Sequence, residues 1–403
     1  MRLTEKLELP AKIQHLFSSN LQSRLLTLRR DLHQHPELSF QEKRTADKLY
    51  NEIAQLRPAQ LDRIAGTGIV ARMKGRQASA PLVAIRGDID ALPIQEATGL
   101  EWASLNPGVM HACGHDAHAT WAIGAAYLLA EHPAAGDVFI VLQPAEEIGK
   151  GASAILKTGA LDGVSAIFGG HVDRRFAVGQ VVAEAGPLAA SADDFSIELI
   201  GKGAHGGRPH EAADPIVGLG ALITALQTIV SRRLNPAHAG VVTIGTVHAG
   251  TAANIIPERA KLTGTLRAVE PATQKLLHEE VRRITESTAA AFGLQALVKI
   301  EIGTPPLINP MQAAGWAQQA ARSVLGDEAV VPLGFLNLAG EDFAYYLEKM
   351  PGCFMRIGAR EPGGKPIAAH SPYFYAAEQS IFVGAAVLAE TARVASLKVS
   401  SDQ

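Results

Sequence analysis

Residues 81–90 read PLVAIRGDID, a short apolar run that ends in two aspartates. Apolar runs of this length are typical of a buried strand, and we predict one at Pro81–Arg86. A helical stretch at Ala117–Ala130 and a second apolar run at Asp137–Leu142 follow. Strands that alternate with helices predict a mainly parallel sheet covered on both faces. The expected fold class is therefore α/β.

The same alternation extends outward from this stretch. Further strands are predicted at Gly68–Met73, Ser165–Gly169 and Gly352–Ile357. Further helices are predicted between Leu21 and Ala54 (broken at His35-Pro36) and at Ala152–Thr158, Gln312–Val324 and Glu378–Ala395.

The order of elements changes in the middle of the chain. The predicted order there is strand, helix, strand, strand, helix, strand, at Asp194–Ile200, Asp214–Arg232, Val241–Val247, Lys261–Arg267, Pro271–Phe292 and Ala296–Ile302. This is the ferredoxin-like order, and it is complete within this segment. We therefore predict a discontinuous catalytic domain, residues 1–186 and 303–403, and an inserted α+β domain, residues 187–302.

Composition narrows the class of protein. The 403 residues suffice for two domains, with 47% hydrophobic and 19% charged residues. A net charge of -3 gives no electrostatic reason to expect nucleic acid or an anionic membrane as partner. The first twenty residues lack the apolar segment of a secretory signal. Two cysteines make no disulfide framework, so we expect a reducing compartment, the cytoplasm.

Polar side chains follow several predicted strands at the point where each strand ends. Asp88 and Asp90 follow the first, Glu146 and Glu147 follow Asp137–Leu142, and His171 follows Ser165–Gly169. Ligands of open α/β sheets bind at this edge. The turn before the helix at Ala117 adds Cys113, His115 and His118. Oxygen, nitrogen and sulfur donors of this kind bind first-row divalent metals.

Each of these residues also has an ordinary structural interpretation. Cys113 could be a packed thiol beside a helix cap, or a nucleophile at a helix start. Glu146 and Glu147 could be solvated loop carboxylates, and His171 a hydrogen-bonded loop residue. Their convergence on one edge favours a metal centre, in which one glutamate binds metal and its neighbour accepts a proton. No Gly-x-Ser-x-Gly motif supports a serine hydrolase.

Ten motifs in order resemble metallopeptidase family 20, in the amidohydrolase branch with hippurate hydrolases, N-acyl-amino-acid hydrolases and indole-acetyl-amino-acid hydrolases. The motifs are LRRDLHQHPELSFQE (28–42), IRGDIDALPI (85–94), MHACGHDAHAT (110–120), LQPAEE (142–147), GGHV (169–172), GKGAHGGRPH (201–210), AANIIPE (252–258), GTLRA (264–268), GEDFAYY (340–346) and HSPYF (370–374).

This resemblance implies a role for individual residues. The implied metal ligands, for one or two ions of Zn, Mn, Co or Ni, are Cys113, His115, Glu147, His171 and His370. Glu146 is the implied general base toward a metal-activated water, and Asp90 the aspartate that orients a ligand. In the inserted domain, His205 would polarise the scissile carbonyl, and Asn254 and Arg267 would hold the substrate carboxylate. That domain is expected to act as a lid and a homodimer interface.

The sequence departs from the wider clan at two places. Asp88-Ile-Asp90 stands where the clan begins its metal site with His-x-Asp, which leaves the identity and number of the metals open. Arg174-Arg175 stands where the branch more often has apolar residues or proline. These arginines would favour an acidic substrate if they faced the cleft, and would be unremarkable in a solvated loop.

The expected reaction is hydrolysis of an N-acyl amino acid to a carboxylic acid and a free amino acid. One alternative is a dipeptidase or aminopeptidase of the same clan, which acts on a free amino terminus. Another is a catalytically silent metal-binding protein that has kept the fold. The sequence alone specifies neither the acyl group nor the amino acid.

Overall fold

The computed structural model describes residues 8–399, which divide into two compact units. Of the described residues, unit 1 comprises 8–186, 309–335 and 345–399, and unit 2 comprises 187–308 and 336–344. The sequence assigned residues 303–308 and 336–344 to the catalytic domain, whereas both lie in unit 2. The second segment joins unit 2 because the Ala190 amide donates a hydrogen bond to the Ala339 carbonyl, at 3.0 Å.

Strands and helices are numbered in chain order. The strands are β1 (Gln60–Ile64), β2 (Gly68–Met73), β3 (Val83–Asp88), β4 (Val138–Gln143), β5 (Ala166–Ala177), β6 (Val181–Val182), β7 (Gly186–Ala189), β8 (Ala192–Ile200), β9 (Ala204–His205), β10 (Gly240–Ala249), β11 (Ile255–Ile256), β12 (Arg259–Ala268), β13 (Gln295–Thr304), β14 (Leu307–Asn309) and β15 (Gly352–Arg360). The helices are α1 (Ser19–Gln34), α2 (Lys43–Ala54), α3 (His115–Glu131), α4 (Gly151–Lys157), α5 (Pro215–Thr228), α6 (Pro271–Ala291), α7 (Met311–Leu325), α8 (Ala344–Leu347) and α9 (Gln379–Lys398).

Unit 1 is built on a seven-stranded sheet of order β1-β2-β4-β3-β5-β15-β6. The four central strands, β4, β3, β5 and β15, run parallel, and the outer pairs are antiparallel. The predicted parallel sheet is therefore confirmed for its central strands. The sequence missed β1, because QLDRI is largely exposed and lacks the apolar run that identifies the central strands.

The central strands are buried on both faces. Every residue of β3 and β4 is buried, as parallel strands under helices require. Helix α3 packs against α9 so closely that a Cβ on Gly384 would lie 2.3 Å from the Trp121 ring. This packing fixes the start of α3, and with it the preceding turn that carries Cys113.

Unit 2 contains an antiparallel sheet of order β10-β12-β8-β13. With β8, α5, β10, β12, α6 and β13 following one another along the chain, this is the ferredoxin-like order that the sequence predicts. Helices α5 and α6 cover one face of the sheet through an apolar core that includes Leu222, Leu277 and Ile197. A short ribbon of β9 and β11 pairs His205 with Ile255.

Within residues 8–399, two helical segments are long and apolar enough to cross a membrane by length and composition alone, Pro215–Arg233 and Gln379–Lys398. In the second segment, 83% of the most apolar stretch is buried, as in a core helix of unit 1. In the first segment only 33% is buried, so unit 2 presents an apolar helix surface.

Candidate metal centre

Metal-binding side chains of unit 1 converge at the carboxyl edge of the parallel strands. Among the groups of described residues whose donor atoms lie within 4.8 Å of one another, three consist only of the predicted ligands and Glu146. They are Cys113, His115 and His171; Cys113, Glu147 and His370; and His115, Glu146 and Glu147. The structure thus brings together all five predicted ligands and the predicted base. His171 lies inside β5, not after a strand, because parallel pairing with β15 continues past it.

The spacing of the donor atoms fits metal coordination. Cys113 Sγ lies 3.1 Å from His171 Nε2, and His370 Nε2 lies 3.3 Å from Glu147 Oε2. Among the residues that the structure describes, His115 Nε2 and Glu147 Oε1 are buried and make no hydrogen bond of acceptable geometry. Buried polar atoms seldom lack a partner, so both are suited to hold a cation. The donor set of sulfur, imidazole and carboxylate fits one or two divalent metals.

Burial changes the protonation of the sulfur and imidazole donors. Burial, and then the Glu147 carboxylate, raise the pKa of the Cys113 thiol well above its usual value. Burial likewise lowers the pKa of His171 well below its usual range, so this imidazole is neutral. A neutral imidazole is the form that binds metal, and a coordinated cation stabilises a thiolate in a buried site.

Asp90 connects two of the predicted ligands. Its Oδ1 lies 3.1 Å from His115 Nδ1, and its Oδ2 accepts hydrogen bonds from the Glu147 amide at 3.0 Å and the Ser39 hydroxyl at 2.6 Å. The Asp90 carbonyl lies 2.9 Å from the same His115 nitrogen. Burial lowers the pKa of His115, but the Asp88 and Asp90 carboxylates raise it further, so its pKa lies well above the usual value. A metal that displaced the Nε2 proton would leave the other proton on Nδ1, held by Asp90.

Asp88 and His118 lie directly beneath the centre. Asp88 is fully buried, is ion-paired with Arg86, and accepts a hydrogen bond from His118 Nδ1 at 2.7 Å. His118 Nε2 accepts from the Val172 amide at 2.9 Å. Both His118 nitrogens are engaged, so His118 supports the backbone beside His171 instead of binding metal. Asp88, the departure from the wider clan's His-x-Asp, serves here as the partner of His118.

Sequence reasoning also missed the residue that holds the Glu146-Glu147 turn. Ala145 has a φ of 53°, a left-handed conformation that is rare for a residue with a side chain. Its amide donates to Glu42 Oε1 at 3.0 Å, and the Thr67 hydroxyl donates to Glu42 Oε2 at 2.6 Å. Glu42 lies in the first family-like motif, where its burial could not be foreseen from spacing alone.

The two arginines after His171 are both paired within unit 1. Arg174 is buried and forms a salt bridge with Glu361, with its Nη1 2.7 Å from Oε2. Arg175 binds Asp173 through two nitrogens and lies 3.5 Å over the Phe335 ring. Neither the cleft-facing nor the solvated-loop interpretation holds for Arg174, and these arginines give no support to an acidic substrate.

The remaining predicted residues lie in unit 2. His205 is exposed in β9, and the Gly206 amide next to it donates to the Asn254 carbonyl at 2.7 Å. His205 Nδ1 accepts a hydrogen bond from the Gly207 amide at 3.0 Å, so the neutral ring carries its proton on Nε2. Arg267 lies in β12 and forms an ion pair with none of the acidic residues described by the structure.

A parallel sheet with these donors at its carboxyl edge defines an α/β metallohydrolase, and comparison with known proteins identifies the family. The model for peptidase family M20/M25/M40 matches residues 84–394. N-acetylcysteine deacetylase of Bacillus subtilis (strain 168) is 42% identical over 380 residues, 92% of this chain and 96% of the relative. IAA-amino acid hydrolase ILR1-like 5 of Arabidopsis thaliana is 36% identical over 375 residues, 91% of this chain and 86% of the relative.

A solved structure from Bacillus subtilis, described as a dinuclear metal-binding peptidase from the M20 family, superposes with a TM-score of 0.83. The two sequences are 37% identical, and the match covers 95% of this chain and 100% of the other. The chain belongs to peptidase family M20/M25/M40, in its amidohydrolase branch, and is a metal-dependent hydrolase. The predicted family, fold class, enzyme class and use of one or two divalent metals are confirmed.

Reactivity of the Cys113 thiol distinguishes a ligand from a nucleophile. In metal-stripped protein, we expect iodoacetamide to react with Cys113 at a rate that keeps rising above pH ~8.5, the usual thiol pKa, because burial raises the pKa of Cys113. Reloading with Zn²⁺ or Mn²⁺ should block the reaction, as measured by mass spectrometry of the labelled peptide. Cys353, the other cysteine, is fully buried and serves as the internal control. Equal labelling with and without metal, or an acyl adduct on Cys113 during turnover, would exclude the ligand role.

Proposed function

We propose that the protein hydrolyses the amide bond of N-acyl amino acids, releasing a carboxylic acid and a free amino acid. The observation that carries this proposal is the pair Glu146 and Glu147 beside Cys113, His115, His171 and His370 in one unit. The relatives support the substrate class, because N-acetylcysteine and indole-acetyl amino acids are both N-acylated amino acids. The acyl group is to be found by a product screen over acetyl, benzoyl and indole-acetyl amino acids.

We assign the five donors Cys113, His115, Glu147, His171 and His370 to metal binding. Cys113, His115 and Glu147 each belong to two of the three donor groups, which suits the cluster to hold two neighbouring ions. Divalent metal held by these residues would lower the pKa of a bound water and polarise the amide carbonyl. Asp90 keeps His115 and Glu147 in the orientation that this binding needs, and is a positioning residue.

Glu146 is the proposed general base. Its Oε2 lies 3.8 Å from His115 Nε2, at the edge of the donor cluster, and its side chain keeps 11% of its surface exposed. A carboxylate there can take a proton from the attacking water and deliver it to the departing amine. His205 presents an Nε2 proton, which suits it to donate a hydrogen bond to the carbonyl oxygen as negative charge develops there.

Replacement of the proposed base separates catalysis from metal binding. Glu146→Gln should keep the metal content of the wild-type protein while turnover falls by ~10²–10⁴, the usual contribution of a general base. Metal analysis by mass spectrometry and a ninhydrin assay of the released amino acid provide the two measurements. Glu147→Gln is the matched control and should lose metal. A Glu146→Gln variant without metal would reverse the roles of the two glutamates.

Arg267 is the proposed anchor for the free carboxylate of the amino acid, with Asn254 beside the β9–β11 ribbon as a second contact. A half-buried guanidinium that has no acidic partner among the residues the structure describes is suited to bind a carboxylate through two parallel hydrogen bonds. The same requirement favours N-acyl amino acids over substrates that are recognised by a free amino group.

Arg267→Lys should impair hydrolysis of N-acyl amino acids far more than hydrolysis of the corresponding amides, because an ammonium cannot reproduce the two-pronged contact. The comparison of kcat/KM for hippurate and hippuramide measures this, and Arg259→Lys on the same strand is the matched control. Equal loss on both substrates would assign Arg267 a structural role in unit 2. An unblocked dipeptide in the same assay tests the peptidase alternative.

We also propose a homodimer formed through unit 2, the lid of the predicted architecture. Helix α5 exposes Ile216 by 43% and Val217 by 55%, and the neighbouring edge strand β10 exposes Val247 by 48%. An unpaired strand edge next to an apolar helix surface can pair symmetrically with a second copy. His205 would then be supplied to the metal centre of the partner subunit.

Complementation tests whether the active site is shared. Glu146→Ala and His205→Ala variants should each be nearly inactive, and mixing them under subunit exchange should restore roughly a quarter of wild-type activity, since half of the dimers are mixed and each has one intact site. Mass spectrometry of the intact dimers verifies the exchange. Exchange without restored activity would mean that His205 acts within its own chain or not at all.

We also propose a cytoplasmic location, because two cysteines do not make a disulfide framework. Both cysteines of the chain are free and buried, as expected for a reducing compartment.

A further inference from the structure

The segment that carries His370 has no regular secondary structure. It runs from the end of β15 at Arg360 to the start of α9 at Gln379, and residues 361–378 are called the His370 loop here. His370 itself has a φ of 66°, and its amide donates to the Ala112 carbonyl at 2.8 Å. Loops of this length within a compact domain are functional or mobile. A ligand on such a loop needs contacts that hold the loop in place.

One buried side chain supplies many of these contacts. Arg174 Nη1 donates to Glu361 Oε2 at 2.7 Å, to the Ala359 carbonyl at 3.2 Å and to the Tyr375 carbonyl at 3.3 Å. Arg174 Nη2 donates to the Lys365 carbonyl at 2.9 Å, to Glu361 Oε1 at 3.1 Å and to the Tyr375 hydroxyl at 3.4 Å. Arg174 therefore joins the beginning, the first half and the end of the loop.

The contacts form a closed cluster. The Arg174 guanidinium lies 4.1 Å from the centre of the Tyr375 ring, and the Tyr375 hydroxyl donates to Glu361 Oε1 at 2.5 Å. Burial raises the pKa of Glu361, but the hydrogen bonds from Arg174 and Tyr375, together with the Arg174 charge, outweigh it, and the net shift is downward. Glu361 thus stays ionised and keeps the cluster intact. Only a planar guanidinium offers enough donors in one plane for these acceptors.

We propose that Arg174 is a positioning residue for His370: it fastens the His370 loop to β5, the strand that also carries His171. His370 Nε2 then stays 3.3 Å from Glu147 Oε2, where both can bind the same ion. This inference rests on the proposed role of His370 as a ligand. It gives a function to a residue at which the sequence departs from its branch, where apolar residues or proline are more usual.

The neighbouring arginine provides a matched control. Arg175 is bound to Asp173 and lies over Phe335, and it makes no recorded contact with the His370 loop in the described part of the chain. Arg174→Met and Arg175→Met make the same substitution at adjacent positions: each removes one positive charge and puts an unbranched apolar side chain in place of the arginine. A general effect of charge or strand stability would appear in both variants.

Two measurements test the proposal. Hydrogen exchange of metal-free protein, followed by mass spectrometry, should show faster exchange of peptides from residues 361–378 in Arg174→Met and no change in Arg175→Met. Titration with Zn²⁺ should show about 10–100-fold weaker binding of the ion that depends on His370, as for other residues that orient ligands. His370→Ala, titrated in parallel, identifies that ion. Should Arg174→Met fail to fold, Arg174→Lys, which keeps the charge but fewer donors, replaces it in both measurements.

The outcomes are separable. Unchanged loop exchange in Arg174→Met, or equal changes in the Arg175→Met control, would overturn the anchoring role. Faster loop exchange with unchanged metal affinity would overturn the positioning of His370. If His370→Ala itself binds metal as the wild type does, the ligand assignment under the proposed function fails, whatever Arg174 does to the loop.

Discussion

The candidate metal centre depends on one carboxylate, that of Asp90, whose hydrogen bonds join three segments of unit 1. It lies just after β3, contacts the first residue of α3 through His115, and receives the Glu147 amide from the turn after β4. Three separate chain segments therefore meet at two oxygen atoms. Such a bridge fixes the relative position of a nitrogen and an oxygen donor before any metal is present, so that metal binding requires little reorganisation.

Two further charged side chains, Asp88 and Arg86, are buried close to Asp90, and their charges compensate each other. Asp88 accepts from His118 and is neutralised by Arg86, so the layer beneath the ligands adds no uncompensated charge. An unpaired carboxylate there would be costly to bury, and a lone arginine would repel the metal. His118 in turn accepts a hydrogen bond from the Val172 amide, which holds the backbone next to His171 in place. Asp88, which stands where the sequence departs from the wider clan, is thus paired with His118 and Arg86.

The sequence predicted the site best where the ends of predicted strands coincide with metal-binding side chains. The strand ends after Pro81–Arg86 and Asp137–Leu142 placed Asp90, Glu146 and Glu147 on one edge, because parallel strands of a sheet end together. The ferredoxin-like unit followed from the order of elements alone. The resemblance to the family supplied His370, which lies on an irregular loop and has no local pattern that predicts its position.

The sequence could not predict contacts between residues that are far apart in the chain and that belong to no regular hydrophobic pattern. Glu42 and Ala145 are a hundred positions apart, and their hydrogen bond depends on a turn whose φ no pattern reveals. Arg174 and Glu361 are further apart still, and an Arg-Arg pair after a strand looks like surface in any single sequence. In both cases a buried polar side chain holds irregular backbone close to a proposed metal ligand. Most of the proposed ligands lie in or next to regular strands and at the start of α3, so spacing identifies them. His370, and the contacts that Glu42 and Arg174 make, involve irregular backbone, and spacing does not identify them.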